Sequence, residues 1–347
     1  MLIQTMPGIT TFLLCIAMGD APQTMRDYNL ITEGRSATAD QVAQWESSLQ
    51  TAPDDLDTRI KLIGYFSKDR YTDKKASAAS AQQVLWIIRN RPLAPICGTP
   101  NAYLQPQLEP EAYVEGKKAW IAHVEREPAN TTLLAHAAAF LLLHDPDKAE
   151  EYLKEGRKLE PDNPQWAAKL GHLYSLVRST RPPDPQRAQL ALENFEAGLK
   201  KSSGVQRDMM LMSAAKAALT AGQFAKAEEF GNEILNRADA TDRWAQGNLV
   251  HDGNVILGQV ALHKGDLNAA EDFLLRAGAT TGSPQLDSFG PNMTLARKLV
   301  EAGRKEKVIA YLNACRKFWK MDRGRLDEWI KDIETDRVPD FGANLNY

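Results

Sequence analysis

"ANTTLLAHAAAFLLLHDPDKAEEYLKEGRKLEPDNPQWAAKLGHLYSL", Ala129 to Leu176, decides the fold. Its apolar residues recur at the helical period, with no run of alternating apolar and polar residues. Leu133, Ala137 and Phe140 share one face of a first helix. His144-Asp145-Pro146-Asp147 makes a turn, and Ala149, Leu153 and Gly156 face back from a second helix that stops before Pro161. Small residues at Ala137 and Ala149 let two antiparallel helices approach closely, while Phe140 and Leu153 fill the space beside them.

The same signature returns along the chain. "AGQFAKAEEF" carries Gly222, Phe224 and Ala227, "KGDLNAAEDF" carries Gly265, Leu267 and Ala270, and "AGRKEKVIAYL" carries Gly303, Lys305 and Val308. Another unit has Ala188, Leu192 and Phe195 after the insertion "RSTRPPDPQ". The equivalent positions Ala149, Ala188, Ala227, Ala270 and Val308 are 39, 39, 43 and 38 residues apart by subtraction. A hairpin cannot bury its apolar stripe alone, so copies at a fixed period imply stacking.

These residues resemble the tetratricopeptide repeat, in which W-x2-L-G-x2-Y is followed by A-x3-F and then P in about 34 residues. Ala149-x3-Leu153 with Pro161 matches its second half, and Leu170-Gly171-x2-Tyr174 its first, with Trp166 one residue early. Several stretches also resemble bacterial repeat proteins to which no biochemical role is assigned. The resemblance spans roughly residues 38–335, strongest over 130–320. It implies an all-α, right-handed superhelical solenoid of about six helical hairpins, closed by a capping helix through Leu326, Trp329, Ile330 and Ile333.

Upstream, "SAASAQQVLWIIRNRP" reads as half of a further hairpin with Ala81, Leu85 and Ile88 facing in, and "EPEAYVEGKKAWIAHVEREP" as one long helix. The expected organisation is a leader at 1–21, a linker at 22–37, divergent helical repeats at 38–128, the clearer array at 129–335 and a tail at 336–347 that folds back through Phe341. The apolar stretch Ile9–Met18 is too short to span a bilayer as a helix and suits a signal peptide cut before Asp20, although no Lys or Arg precedes it. With that signal the chain is exported; without it, cytoplasmic.

Composition narrows the function. The chain has 347 residues, 43% hydrophobic and 25% charged, with 42 basic against 45 acidic side chains and a net charge of −3. A dedicated nucleic-acid binder carries a basic excess or stripe. "RKFWKMDRGR" mixes cations with Phe318 and Trp319, but a helix end with a basic last turn explains it equally. The six histidines form no HExxH motif and the three cysteines no CxxC, so no metal, cofactor or catalytic residue is expected. Cys97, in the proline-rich stretch 91–109, has no positioned histidine or acid that sequence can name.

The resemblance implies a concave face lined by first helices and a protein or peptide ligand. The groove-facing positions hold Ala138, His172, Lys216, Gln259 and Arg297, and the earlier ones Leu134, Ala168, Met212, Val255 and Met293. That set is not a carboxylate-binding clamp; it suits an apolar peptide or helix if the groove is open. "ATTGSPQLDSFGPNM", Ala279 to Met293, is a long stiffened connection that either plugs the gap between hairpins or edges a site through Gln285, Asp287, Phe289 and Asn292. The leading expectation is a non-catalytic scaffold without a membrane span. Against it stand an enzyme or small-ligand binder using loops 91–109 and 278–290, and a self-associating structural protein.

Overall fold

A computed structural model describes residues 21–176, 184–238 and 243–345. Those residues form seventeen α-helices and no strand. The chain divides into two compact units between Pro161 and Asp162. The candidate signal peptide lies outside the described residues.

The N-terminal unit contains α1 (Ala21–Ser36), α2 (Ala39–Thr51), α3 (Leu56–Phe66), α4 (Lys74–Asn90), α5 (Pro110–Arg126), α6 (Thr131–Leu141) and α7 (Pro146–Leu159). From α2 onward each helix packs on the next. The expected linker at 22–37 is instead α1, which packs on α3. Gly34 and Gly64 explain why. A Cβ on Gly34 would overlap the Lys61 carbonyl oxygen, and one on Gly64 that of Ile31, so the two backbones touch. Contact through absent side chains leaves no apolar stripe to read. On α4, Val84 and Ile87 join Ala81 and Ile88 in the core, whereas Leu85 is only half-buried.

Between α4 and α5 the chain forms two 3-10 turns, Pro95–Gly98 and Pro100–Ala102. This stretch is anchored by a buried ion pair. Arg70 donates from Nε and Nη2 to Glu109 Oε1 and Oε2 at 2.8 and 2.9 Å, and from Nη2 to the Tyr103 carbonyl at 2.7 Å. Ser77 Oγ and the Gln105 backbone N–H also donate to Glu109, at 2.6 and 2.9 Å.

The C-terminal unit contains α8 (Pro164–Ser175), α9 (Pro185–Leu199), α10 (Gly204–Thr220), α11 (Phe224–Ala238), α12 (Arg243–His263), α13 (Leu267–Gly278), α14 (Pro284–Phe289), α15 (Thr294–Glu301), α16 (Lys305–Cys315) and α17 (Arg325–Glu334). The pairs α8/α9, α10/α11, α12/α13 and α15/α16 each pack together, and first helices also touch: α8 with α10, α10 with α12, α12 with α15. Gly171 admits Phe195, whose ring edge would lie 2.6 Å from an added Cβ.

Three of the turns are copies of one another. Gly222, Gly265 and Gly303 have φ of +73°, +79° and +78°. After each, the next residue's N–H closes a six-residue ring onto the helix: Gln223 to Ala218 O at 2.8 Å, Asp266 to Ala261 O at 2.9 Å, Arg304 to Leu299 O at 2.9 Å. This is the Schellman ending, which needs a left-handed residue and therefore favours glycine. Ala149, Ala188, Ala227, Ala270 and Val308, aligned by spacing, are all buried.

Helix starts are equally legible. Asp145-Pro146, Asn163-Pro164 and Asp184-Pro185 each place a side-chain cap before a proline in the first helical turn. Ser283-Pro284 does the same for α14, whose N-cap hydroxyl accepts the Leu286 N–H at 3.1 Å. The long stiffened connection expected from Ala279 to Met293 is therefore interrupted by a short helix. The tail folds back: Phe341 is buried against Trp329, with ring centroids 5.0 Å apart, and Trp329 Nε1 donates to Asp340 O at 3.1 Å.

Candidate functional site

On the first helices, the apolar groove positions are largely used inside the molecule. Leu134, Ala138, Ala168, Val255 and Met293 are buried, and Met212 is half-buried. An open apolar floor is therefore not presented there, because neighbouring helices pack over it.

The polar positions are richer. Lys216 Nζ on α10 lies 2.7 Å from Asp252 Oδ2 on α12. Asp252 Oδ1 lies 3.0 Å from His251 Nδ1, and His251 Nε2 lies 3.0 Å from the Tyr311 hydroxyl on α16. An ionised carboxylate only accepts, so Nδ1 carries the proton and Nε2 accepts from Tyr311. Burial works against the charged form of Asp252. The Lys216 ammonium and the His251 N–H outweigh it and hold the carboxyl well below the usual range. Behind Tyr311, burial pushes the Cys315 thiol up to about 12. His251, Tyr311 and Cys315 are fully buried. The row therefore ties α10, α12 and α16 together and offers only its Lys216 end to solvent. The adjacent His251 and Asp252 were visible in the sequence, but nothing there pointed to Tyr311, 60 residues on.

The other expected residues bond elsewhere. Gln259 Nε2 donates to Thr294 Oγ1 at 3.1 Å, and its Oε1 accepts from Lys298 Nζ at 3.0 Å. Arg297 reaches Glu301 one turn on, at 2.8 Å. His172 is half-buried and meets Phe195 edge to face with ring centroids 5.0 Å apart; burial, with the Lys169 charge beside it, pushes its imidazole down to about 4. Burial likewise lowers the Lys169 amine to about 8.

In the connection between α13 and α15, Gln285 Oε1 accepts from Asn248 Nδ2 at 3.2 Å, and Asp287 Oδ1 accepts the Lys320 N–H at 2.9 Å. Asn292 Oδ1 accepts the N–H of Thr294, the first residue of α15, at 2.9 Å. Leu286 is buried and Phe289 half-buried. The Asn344 side chain donates to the carbonyls of Phe289 and Pro291 at 3.1 and 2.9 Å, a fastening that no local sequence pattern announced.

In the N-terminal unit, Cys97 is buried beside Tyr103 and Phe140 around a cavity of only 10 Å³, at most the room of one water. Burial pushes its thiol up, and the nearby Asp27 adds to this. Asp27 is itself buried; one oxygen accepts the Ile96 N–H, while Oδ2 has no hydrogen-bond donor. Burial therefore raises its carboxyl. A raised folded-state value contributes stability at pH below the unfolded value and loses it as pH climbs through the folded one. Asp27→Asn is thus expected to stabilise the unit at pH 7 by about 1–2 kcal/mol, with no gain near pH 3.5. Urea unfolding at the two pH values reads the difference; an equal change at both would refute it.

No family model matches this chain. Neither a curated protein nor a solved structure gives a match. Among the described residues, no three His, Cys, Asp or Glu side chains are grouped to hold a metal ion, and no helix is long and apolar enough to cross a membrane.

Proposed function

We propose that this protein is a non-catalytic scaffold built on a tetratricopeptide-like right-handed solenoid, and that it binds a protein or peptide along its first helices. The observation that carries the reading is the recurrence of one turn at Gly222, Gly265 and Gly303, with the same hydrogen bonds each time. Contacts between successive first helices support it further. A stack of hairpins spends its apolar stripes on itself and leaves the polar side chains of the first helices as a continuous surface. The burial of Val255 and Met293 moves the expected contacts from apolar to polar: Lys216, Gln259, Arg297 and Lys298.

Panning a display library of peptides about 12 residues long against the whole chain tests this. Enriched peptides are expected to lose affinity about tenfold with Arg297→Glu or Lys298→Glu. They should bind normally to Lys307→Glu, an exposed change on the second helix α16. Failure to enrich any peptide, or equal loss with all three variants, counts against a first-helix binding face.

A further inference from the structure

We propose that a groove in the N-terminal unit binds a small monoanion with an apolar body, an alkyl or aryl carboxylate. The inference is independent of the scaffold reading. The groove has a volume of 310 Å³ and lies where the C-terminal ends of α4 and α5 meet the starts of α3 and α6. That size is at the lower end for small-molecule sites, about 300–1,000 Å³.

Its floor is apolar. Leu56, Leu93 and Leu133 line it, and Leu93 keeps 52% of its surface exposed. A large apolar side chain held open in a concave site gains by being covered. Its rim carries Arg91, Arg126 and Glu127, a net formal charge of +1.

The two guanidiniums are under-used. Arg126 Nη2 donates to His123 Nδ1 at 2.7 Å. His123 Nε2 lies 2.8 Å from the Ile88 carbonyl, which only accepts, so Nε2 carries the proton and the ring facing Arg126 is neutral. Arg91 Nη1 donates to the Asn90 carbonyl at 3.0 Å. Its nearest carboxylate, Asp54, is 3.9 Å away and mostly exposed, a loose pair. Glu127, the one acid on the rim, accepts from Asn130 Nδ2 at 3.0 Å.

The negative poles of the two helix ends oppose an anion. Each is a half-charge whose effect falls off within a turn, whereas a carboxylate on a guanidinium gains a full charge and paired donors. The cations therefore prevail, and an apolar tail over Leu93 with its carboxylate between Arg91 and Arg126 satisfies both parts of the site.

Isothermal titration of the whole chain with decanoate, decanol and decyltrimethylammonium tests this. Decanoate is expected to bind one to one, and the neutral and cationic analogues at least about tenfold more weakly. Arg91→Gln and Arg126→Gln, both at exposed positions, should each weaken decanoate by about tenfold. Leu93→Asp should weaken it as well while leaving helical circular dichroism unchanged. No binding at millimolar decanoate, equal binding of decanol, or an Arg91→Gln/Arg126→Gln double variant that binds as tightly as the parent would overturn the proposal.

Discussion

Replacing Glu109 with alanine is expected to destabilise the N-terminal unit by about 3–5 kcal/mol, the usual cost of leaving one partner of a buried ion pair alone. The side chains of Arg70 and Glu109 are only 8% and 3% exposed. Without Glu109 the guanidinium keeps the Tyr103 carbonyl but loses its counter-charge, and Ser77 and the Gln105 N–H lose their acceptor. Glu109→Gln preserves the shape and some of the hydrogen bonds, so it should cost less. Adding Arg70→Ala to Glu109→Ala should cost less than the sum of the single changes, because the second removes the orphaned charge. Hydrogen exchange of the α4 and α5 amides is the suitable readout, since a two-unit chain need not unfold in one step.

The same pair sets an acid limit. Burial alone would raise the Glu109 carboxyl; the hydrogen bonds and charge of Arg70, with Ser77 and the Gln105 N–H, bring it below its ordinary value. A lowered folded-state value means the contribution is full above the unfolded value of about 4.3 and is lost as pH falls through the folded one. The gap between the parent and Glu109→Ala should therefore be constant at neutral pH and narrow below about pH 4. A gap independent of pH would mean that the alanine acts only by removing packing.

What was legible in the sequence followed from local rules. Helix starts at Asp145-Pro146 and Asn163-Pro164 and helix ends at Gly222, Gly265 and Gly303 need only neighbours within a turn or two. The apolar period then placed Ala149, Ala188, Ala227, Ala270 and Val308 in the core. Three kinds of feature escaped the reading. Helix α1 packs through Gly34 onto Gly64, where the signal is the lack of a side chain. The row from Lys216 to Tyr311 and the Arg70–Glu109 pair join residues tens of positions apart, which no periodicity encodes. Ser283-Pro284 was a local signal that was present but read as loop, because α14 is only six residues long. The candidate binding residues fell between these cases. Spacing identified their helix positions, but whether Val255 or Met293 faced solvent depended on which neighbour packed above it.

Gly290→Ala is expected to cost about 2–6 kcal/mol, from about 1–3 of backbone strain and about 1–3 of overpacking. Gly290 has φ 83° and ψ 176°, a region open essentially to glycine alone. A Cβ there would overlap the ring of Trp319, which is buried with 2% exposure. The backbone cannot easily retreat, since Asn344 holds the carbonyls of Phe289 and Pro291 on either side. Gly265→Ala supplies the comparison: φ is also positive, at +79°, but an added Cβ meets nothing within 4 Å. That change should cost only about 1–2 kcal/mol. Urea unfolding of both variants separates packing from backbone preference. If they lose equal stability, the connection can move off Trp319, and Gln285, Asp287, Phe289 and Asn292 would again be available to a partner. If Gly290→Ala is several kcal/mol worse, the connection is a fixed plug between α13 and α15, and the proposed binding face on the C-terminal unit is confined to Lys216, Gln259, Arg297 and Lys298.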